Sequence, residues 1–114
     1  MVLTKAPKPV SKLEETLALH IRAAKLLEPV REYKFDGTRK FRFDVAWPAA
    51  MVGVEVEGGV FSGGRHTRGT GFEADAEKYN LAAMQGWRVF RLTSSTVNDG
   101  TALQTIERAL EVFA

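Results

Sequence analysis

The chain has 114 residues, an ordinary length for one domain with a single hydrophobic core. It contains no cysteine, which excludes disulfides and thiolate metal sites, and only two histidines, which weakens the case for zinc. A net charge of +2 is only mildly basic, so partners must be inferred from where the charges lie. No run approaches the roughly 20 apolar residues of a membrane helix, and the N-terminus lacks the apolar segment of a signal peptide. We therefore expect a cytoplasmic protein.

Residues 1–10 are predicted to form a flexible basic lead-in, and residues 11–114 a single domain. The first helix is predicted to begin at Ser11, because Ser11 to Glu14 has the S-x-x-E form of a capping box. Apolar residues then repeat at three- and four-residue spacing and predict a buried helical stripe. Glu14 lies at the edge of that stripe, where it would either cap the helix or reach a site on the sheet.

Three alternating segments follow and predict an antiparallel meander of strands. The first runs from Val30 to Phe35 and is bounded by the turn dipeptide Asp36-Gly37. The loop after this turn carries the basic residues Arg39 and Lys40, which serve either solubility or anion binding.

The second strand, residues 41–47, alternates with period two. We expect Phe41, Phe43 and Val45 to share one face of the sheet, with Asp44 on the opposite face. Asp44 is then the acidic residue of this strand that is available to a site.

The third strand, residues 51–57, places its valines toward the core and Glu55 and Glu57 on the other face. If residues 48–50 form the bend of a hairpin, Asp44 lies across from these two glutamates and three carboxylates converge. Like charges at adjacent sheet positions repel and raise one another's pKa. A divalent cation removes this conflict, and carboxylate oxygens are ligands that Mg²⁺ and Mn²⁺ prefer. The alternative is a solvated strand face that carries glutamates.

A glycine-rich basic loop, residues 58–71, follows the third strand directly. It lacks the G-x-x-x-x-G-K-[ST] order of a P-loop. Arg65, His66 and Arg68 would project over the carboxylate face, where glycines allow close approach of a ligand and arginine binds phosphate oxygens. The alternative is a solvent loop without a ligand.

The segment from Phe72 to Gln85 is helical in pattern. In its N-terminal half, Asp75 can share a face with Lys78 or Tyr79, and the alternative is a surface pair of Asp75 and Lys78. Residues 87–92 form a fourth strand that can pair parallel to the sheet, and a last helix begins at Asp99 or Thr101. The predicted fold is α/β (α+β), with the order α-β-β-β-α-β-α and a single mixed four-stranded sheet flanked by helices.

This order, with Asp44 on one strand and Glu55-x-Glu57 on the next, resembles the PD-(D/E)XK nuclease superfamily, which has a restriction-endonuclease-like core. Residues 41–44, 54–59 and 86–91 look most similar to small stand-alone members related to very-short-patch-repair endonucleases of bacteria and phages. The resemblance covers roughly residues 11–110. It implies a metal-dependent DNA endonuclease that acts in DNA repair, recombination or phage DNA processing.

The resemblance also implies roles for individual carboxylates. Asp44 and Glu55 would bind Mg²⁺ or Mn²⁺, and Glu57 would add to this set. Glu14, or its neighbour Glu15, matches the acidic residue that many members contribute from the first helix.

Glu57 occupies the position where the superfamily usually has lysine, so another group must orient or activate the attacking water. The resemblance offers His66 or Lys78 for this role. The phosphates of DNA would be bound by basic side chains: Arg65, Arg68, Arg39 and Lys40. The implied partners are DNA and a divalent metal ion, and a homodimer is among the assemblies it allows.

Two other classes of function fit the same sequence. A DNA-binding accessory protein would keep the fold but lose turnover, because Glu57 replaces the lysine. A protein-interaction module would present the acidic sheet face and the basic loop as a solvated surface only.

Overall fold

The computed structural model describes residues 11–58 and 69–111. The predicted lead-in, residues 1–10, and the predicted site residues Arg65, His66 and Arg68 therefore lie outside the described residues. The elements are α1 (Lys12–Ala23), β1 (Val30–Lys34), β2 (Arg42–Trp47), a short 3₁₀ helix (Pro48–Ala50), β3 (Val52–Glu57), α2 (Gly69–Met84), β4 (Arg88–Thr93), α3 (Ser94–Asp99) and α4 (Thr101–Glu111).

The four strands form one mixed sheet in the order β1-β2-β3-β4. β1 pairs antiparallel with β2, and β2 pairs antiparallel with β3. β4 pairs parallel with β3, since the crossover through α2 returns the chain to the same end of the sheet. The predicted fold class and element order are confirmed. None of the described helices is long and apolar enough to cross a membrane.

The first helix begins where the sequence predicts. The Ser11 side chain accepts a hydrogen bond from the backbone N–H of Glu14 at 3.0 Å, which satisfies one of the open donors of the first turn. Leu17 and Ile21 on this helix are buried. The cap and the apolar stripe together fix where α1 starts and which face it packs on the sheet.

A short helix, α3, precedes the predicted last helix and was not expected. Thr93 and Thr96 cap its start by exchanging side-chain and backbone hydrogen bonds. Gly100, with φ of 89°, ends it, because glycine adopts this left-handed conformation without strain. The capping pair lacks the Glu or Gln that marks a capping box in sequence, so the helix start gave no recognisable signal.

The core has two parts, which lie on opposite faces of the sheet. The larger cluster joins the sheet to α1, α3 and α4, with Leu17, Val54 and Ile106 fully buried. The smaller cluster is aromatic and lies on the α2 side, where Phe35 stacks on Phe43 at 4.3 Å between ring centroids. The architecture is therefore three-layered, with helices on both sides of the sheet.

The predicted sharing of one face by Phe43 and Val45 is wrong. Val45 packs in the larger cluster, whereas Phe43 packs in the aromatic cluster on the other face. The pairs Arg31↔Val45 and Tyr33↔Phe43 bracket Glu32, whose φ of 50° is left-handed. This kink interrupts the alternation of both strands, so side chains before and after it lie on different faces.

The aromatic cluster leaves no room beside Gly53 of β3. A Cβ atom at this position would lie 2.5 Å from Cδ2 of Phe43, whose ring is fully buried. We expect Gly53→Ala to lower the free energy of unfolding by about 1–3 kcal/mol, the usual cost of overpacking a core, measured by urea denaturation.

The control for this prediction is Gly37→Ala, because an added Cβ there meets nothing within 4 Å. It should leave stability unchanged or raise it slightly, through a less flexible unfolded chain. Equal destabilisation by both variants would show that contact with Phe43 is not the cause.

Candidate functional site

The Asp44 side chain is bound to the neighbouring strand β3. One of its carboxylate oxygens, Oδ2, accepts a hydrogen bond from the backbone N–H of Val56 on β3 at 2.8 Å. Asp44 is partly buried and follows Phe43, where β2 changes face. The side chain is thus held between two strands instead of projecting freely from the sheet.

Asp44 is grouped with two glutamates from other elements. Carboxylate oxygens of Glu14 on α1, Glu32 on β1 and Asp44 all lie within 4.8 Å of one another. Glu32 has a left-handed backbone conformation, with φ of 50°, within β1. A non-glycine residue in this conformation costs of order 1–3 kcal/mol, and such strain is concentrated at functional sites.

The spacing of the three carboxylates is compatible with a divalent cation. Oxygen ligands lie about 2.1 Å from Mg²⁺, so two ligands on opposite sides of the ion are about 4.2 Å apart. The observed span of up to 4.8 Å is close to this value. Two of the three carboxylates are also paired with arginines, Glu14 with Arg31 at 3.8 Å and Glu32 with Arg42 at 3.6 Å.

Glu55 is bound from the α2 side of the sheet. Its Oε1 atom accepts hydrogen bonds from Nζ of Lys78 at 2.6 Å and from the hydroxyl of Tyr79 at 2.8 Å. The side chains of Lys78 and Glu55 are only 14% and 12% exposed. Glu55 and its two donors therefore form a largely buried charged group.

Burial raises the pKa of Glu55 above its ordinary value, and the charge of Lys78 and the two hydrogen bonds partly offset this rise. The negative charge of Asp44 adds a smaller upward contribution to the pKa. Asp44 itself is grouped by distance with Glu14 and Glu32.

Glu57 has a different environment. Arg91 of β4 donates hydrogen bonds to both of its carboxylate oxygens, one of them 3.0 Å long. The Arg91 guanidinium also lies 4.9 Å from the centroid of the Tyr79 ring. The charge of Glu57 is therefore compensated by arginine in the described structure.

The predicted site residues are only partly brought together. Asp44 and Glu14 belong to one group of neighbouring carboxylates. Lys78 forms an ion pair with Glu55, so these two predicted residues are also brought together. Glu57 pairs with Arg91, and the metal-type group within the described residues contains neither Glu55 nor Glu57. Within the described residues the three strand carboxylates are therefore not gathered in one metal-type group.

The predicted phosphate-binding residues of the β1–β2 loop are exposed. Arg39 forms an ion pair with Glu77 of α2, and its guanidinium lies 5.0 Å from the centroid of the Phe41 ring. The neighbouring Lys40 is also exposed. Both cations are therefore accessible from solvent.

The sequence interpretation missed two residues, Glu32 and Arg91. Glu32 joins Asp44 through a backbone kink, and β-propensity gives no signal for a left-handed glutamate. Arg91 could have been found from strand pairing, because it lies opposite Glu55 in the parallel register with β3. That register becomes known only when the sheet order is known.

Comparison of the chain with protein-family models, with curated proteins and with solved structures finds no match.

Proposed function

We propose that the protein is a Mg²⁺- or Mn²⁺-dependent DNA endonuclease of the PD-(D/E)XK type. The observation that supports this best is the largely buried ion pair between Glu55 on β3 and Lys78 on α2, with Asp44 on the neighbouring strand β2. Two carboxylates on neighbouring strands with an adjacent lysine are the groups that this hydrolysis needs. Here the lysine comes from the helix, and the position usual for it holds Glu57.

The metal ion would be held by Asp44 together with Glu14 and Glu32. Glu55 is the further carboxylate that the resemblance assigns to the metal. When bound, the ion supplies a charge that polarises the phosphoryl oxygen and makes a bound water more acidic.

Lys78 is proposed to stabilise charge on the phosphate. As an ammonium group it donates to Glu55 over 2.6 Å, and in this state it has no lone pair with which to take a proton from water. It can instead donate to a phosphate oxygen that gains negative charge in the transition state. The role of general base then falls to His66, outside the described residues.

The phosphate backbone is proposed to bind at Arg39, Lys40, Arg65 and Arg68. The pair between Arg39 and Glu77 is exposed at both ends, with side chains 45% and 53% accessible. Such surface pairs contribute about 0–1 kcal/mol, so a phosphate can replace Glu77 at little cost. Contacts of this kind orient DNA without reading its sequence. The protein would act in the cytoplasm, as a monomer or a homodimer.

The test is a cleavage assay on linear, branched, mismatched and single-stranded DNA with Mg²⁺, Mn²⁺ or a chelator. We expect cleavage of at least one substrate with either ion, and none with the chelator. Mn²⁺ should also raise the melting temperature, because it binds the native state only. A melting temperature unaffected by Mn²⁺, together with intact DNA in every reaction, would contradict the proposal.

A second candidate is a DNA-binding accessory protein without turnover. The ion pair between Glu57 and Arg91 favours it, because the usual lysine position is occupied by an acid that is already paired. This candidate predicts salt-sensitive DNA binding with no cleavage in Mn²⁺, which the same assay detects.

A further inference from the structure

Strand β4 has one side of its backbone open in the described part of the chain, where it pairs only with β3. The N–H of Arg88 donates to the carbonyl of Met51, just before β3, at 2.9 Å. The backbone groups of successive strand residues point to opposite sides, so every second residue, starting with Arg88, faces β3. The N–H and C=O groups of Val89 and Arg91 therefore point away from the sheet.

The backbone of β4 is regular along its length. None of the left-handed residues within 11–58 and 69–111 lies in this strand. Its side chains alternate between the faces of the sheet, with Val89 against the aromatic cluster and Phe90 and Leu92 with the larger cluster. A regular strand with one open side can bind another strand through its main-chain hydrogen bonds.

The two arginines of β4 are bound within the chain. The Arg91 side chain is 51% exposed, but it donates to both carboxylate oxygens of Glu57. Arg88 donates to the carbonyl of Ala109 at 2.8 Å, and its guanidinium lies 6.0 Å from the centroid of the Phe90 ring. Uncompensated charges on an outer strand oppose pairing with another chain. Because Arg91 is paired with Glu57, its charge opposes such pairing only weakly.

We propose that β4 pairs antiparallel with β4 of a second copy of this chain, about a two-fold axis at Phe90. A two-fold interface uses the same surface on both copies, so that surface must complement itself. In this register the outward backbone groups of Val89 oppose those of the partner's Arg91, and the two residues exchange two N–H···O bonds. The two equivalent pairs give about four hydrogen bonds between the copies.

The side chains favour this register over its neighbours. With the axis at Phe90, the two Phe90 side chains oppose each other at a non-hydrogen-bonded position, where side chains approach closely and aromatic pairs are favourable. An axis at Arg91 uses the same backbone groups but opposes two arginines, and like charges at opposed positions are destabilising. An axis at Val89 pairs only residues 88–90 of β4, whereas the axis at Phe90 pairs residues 88–92.

The geometry of this pairing sets the form and strength of the dimer. Opposed side chains of an antiparallel pair lie on one face, so the axis is perpendicular to the sheet and the α2 helices of both copies lie on the same face. Five paired residues bury little area against the roughly 1,200–2,000 Å² of stable interfaces. We therefore expect a reversible dimer with a dissociation constant of roughly 1–100 µM. The inference does not depend on the proposed nuclease activity.

Sedimentation equilibrium of the unmodified chain, from about 1 µM to about 1 mM, measures this association. Val89→Pro removes the outward N–H and leaves the bonds to β3 intact, since proline is tolerated where a strand N–H faces outward. We expect it to weaken the dimer at least about 10-fold. Val89→Thr is the control, because it keeps both the N–H and the β-branched shape. A chain that stays monomeric throughout, or equal weakening by both variants, would overturn the proposal.

A second variant tests the register without proline in the sheet. The chain contains no cysteine, so Phe90→Cys introduces a single thiol. Opposed residues of a non-hydrogen-bonded pair have Cα atoms about 4.5 Å apart, within the range that a disulfide spans. Under a mild oxidant we expect Phe90→Cys to form a covalent dimer at least about 10-fold faster than Glu28→Cys, whose side chain position is 77% exposed. Equal rates would overturn the proposed pairing.

Discussion

Replacing Asp44 with asparagine is expected to lower the rate of Mn²⁺-dependent DNA cleavage on the order of 10³-fold, the scale of losing one charge-stabilising group at a reacting centre. Asp44 lies next to Glu14 and Glu32, so its charge is one of the three that would hold the cation. Asparagine keeps a carbonyl oxygen that can accept from the N–H of Val56, so the fold should be retained.

Two measurements test this prediction on the variant and the unmodified protein. One is the single-turnover rate of DNA cleavage with Mn²⁺, and the other is urea denaturation without metal. Asp44→Asn should unfold at nearly the same urea concentration as the unmodified protein, because the lost charge also relieves repulsion among the carboxylates. Asp44→Ala, in contrast, should cost about 1–3 kcal/mol, because it leaves the Val56 N–H without its acceptor.

Glu28→Gln is the charge-matched control, because it also removes one carboxylate charge. The Glu28 side chain is 77% exposed, and its ion pair with Arg22 is long, at 3.9 Å. It should cleave DNA normally. If Asp44→Asn cleaved as fast as this control but lost several kcal/mol of stability, Asp44 would be a structural residue.

The second large effect is expected from Lys78→Met, which should lower the free energy of unfolding by about 3 kcal/mol at pH 8. Methionine keeps most of the apolar stem but leaves Glu55, with its side chain 12% exposed, without its cationic partner. Breaking a buried pair from one side is costly because the remaining charge is neither solvated nor compensated.

The loss should shrink at low pH. Burial raises the pKa of Glu55 in the folded state above its ordinary value of 4.5. Protonation of Glu55 therefore stabilises the folded state below pH 4.5, and this stabilisation is lost as the pH rises through the folded-state pKa. Without Lys78, two contributions that lower the folded-state pKa are absent, so it rises further. At pH 4 Glu55 is largely neutral in the folded state of the variant, and the penalty of an unpaired charge is mostly avoided.

Urea denaturation of Lys78→Met at pH 4 and pH 8 measures this difference. Arg22→Met removes a cation from an exposed pair and should change stability by less than about 1 kcal/mol at either pH. A loss that did not depend on pH would instead indicate lost packing of Lys78, whose Nζ lies 5.8 Å from the centroid of the Phe43 ring.

The predictable part of this molecule follows local patterns. Period-two alternation identified the strands, and the Ser11 cap located the start of α1. The helical pattern of residues 72–85 placed Lys78 and Tyr79 on a helix, and in the structure both reach Glu55 from α2. These features depend on neighbours a few residues apart, which a sequence displays directly.

The features that the sequence did not predict depend on contacts between residues far apart in the chain. The opposite faces of Phe43 and Val45 follow from a backbone kink on another strand, at Glu32. The pairing of Glu57 with Arg91 requires the parallel register of β3 and β4, which are separated by the whole of α2. Neither feature can be predicted from the spacing of residues along a single strand.

The kink at Glu32 also affects how the protein meets other copies of itself. In the described part of the chain β1 is an edge strand, with one side of its backbone open to pairing. An open, regular edge invites strand addition and aggregation, and natural sheets protect such edges with irregular backbone and charged side chains. Here Glu32 interrupts the regular backbone, and both Glu32 and Lys34 are exposed. The residue that brings a carboxylate to Asp44 thus also keeps this edge from serving as a template for a second chain.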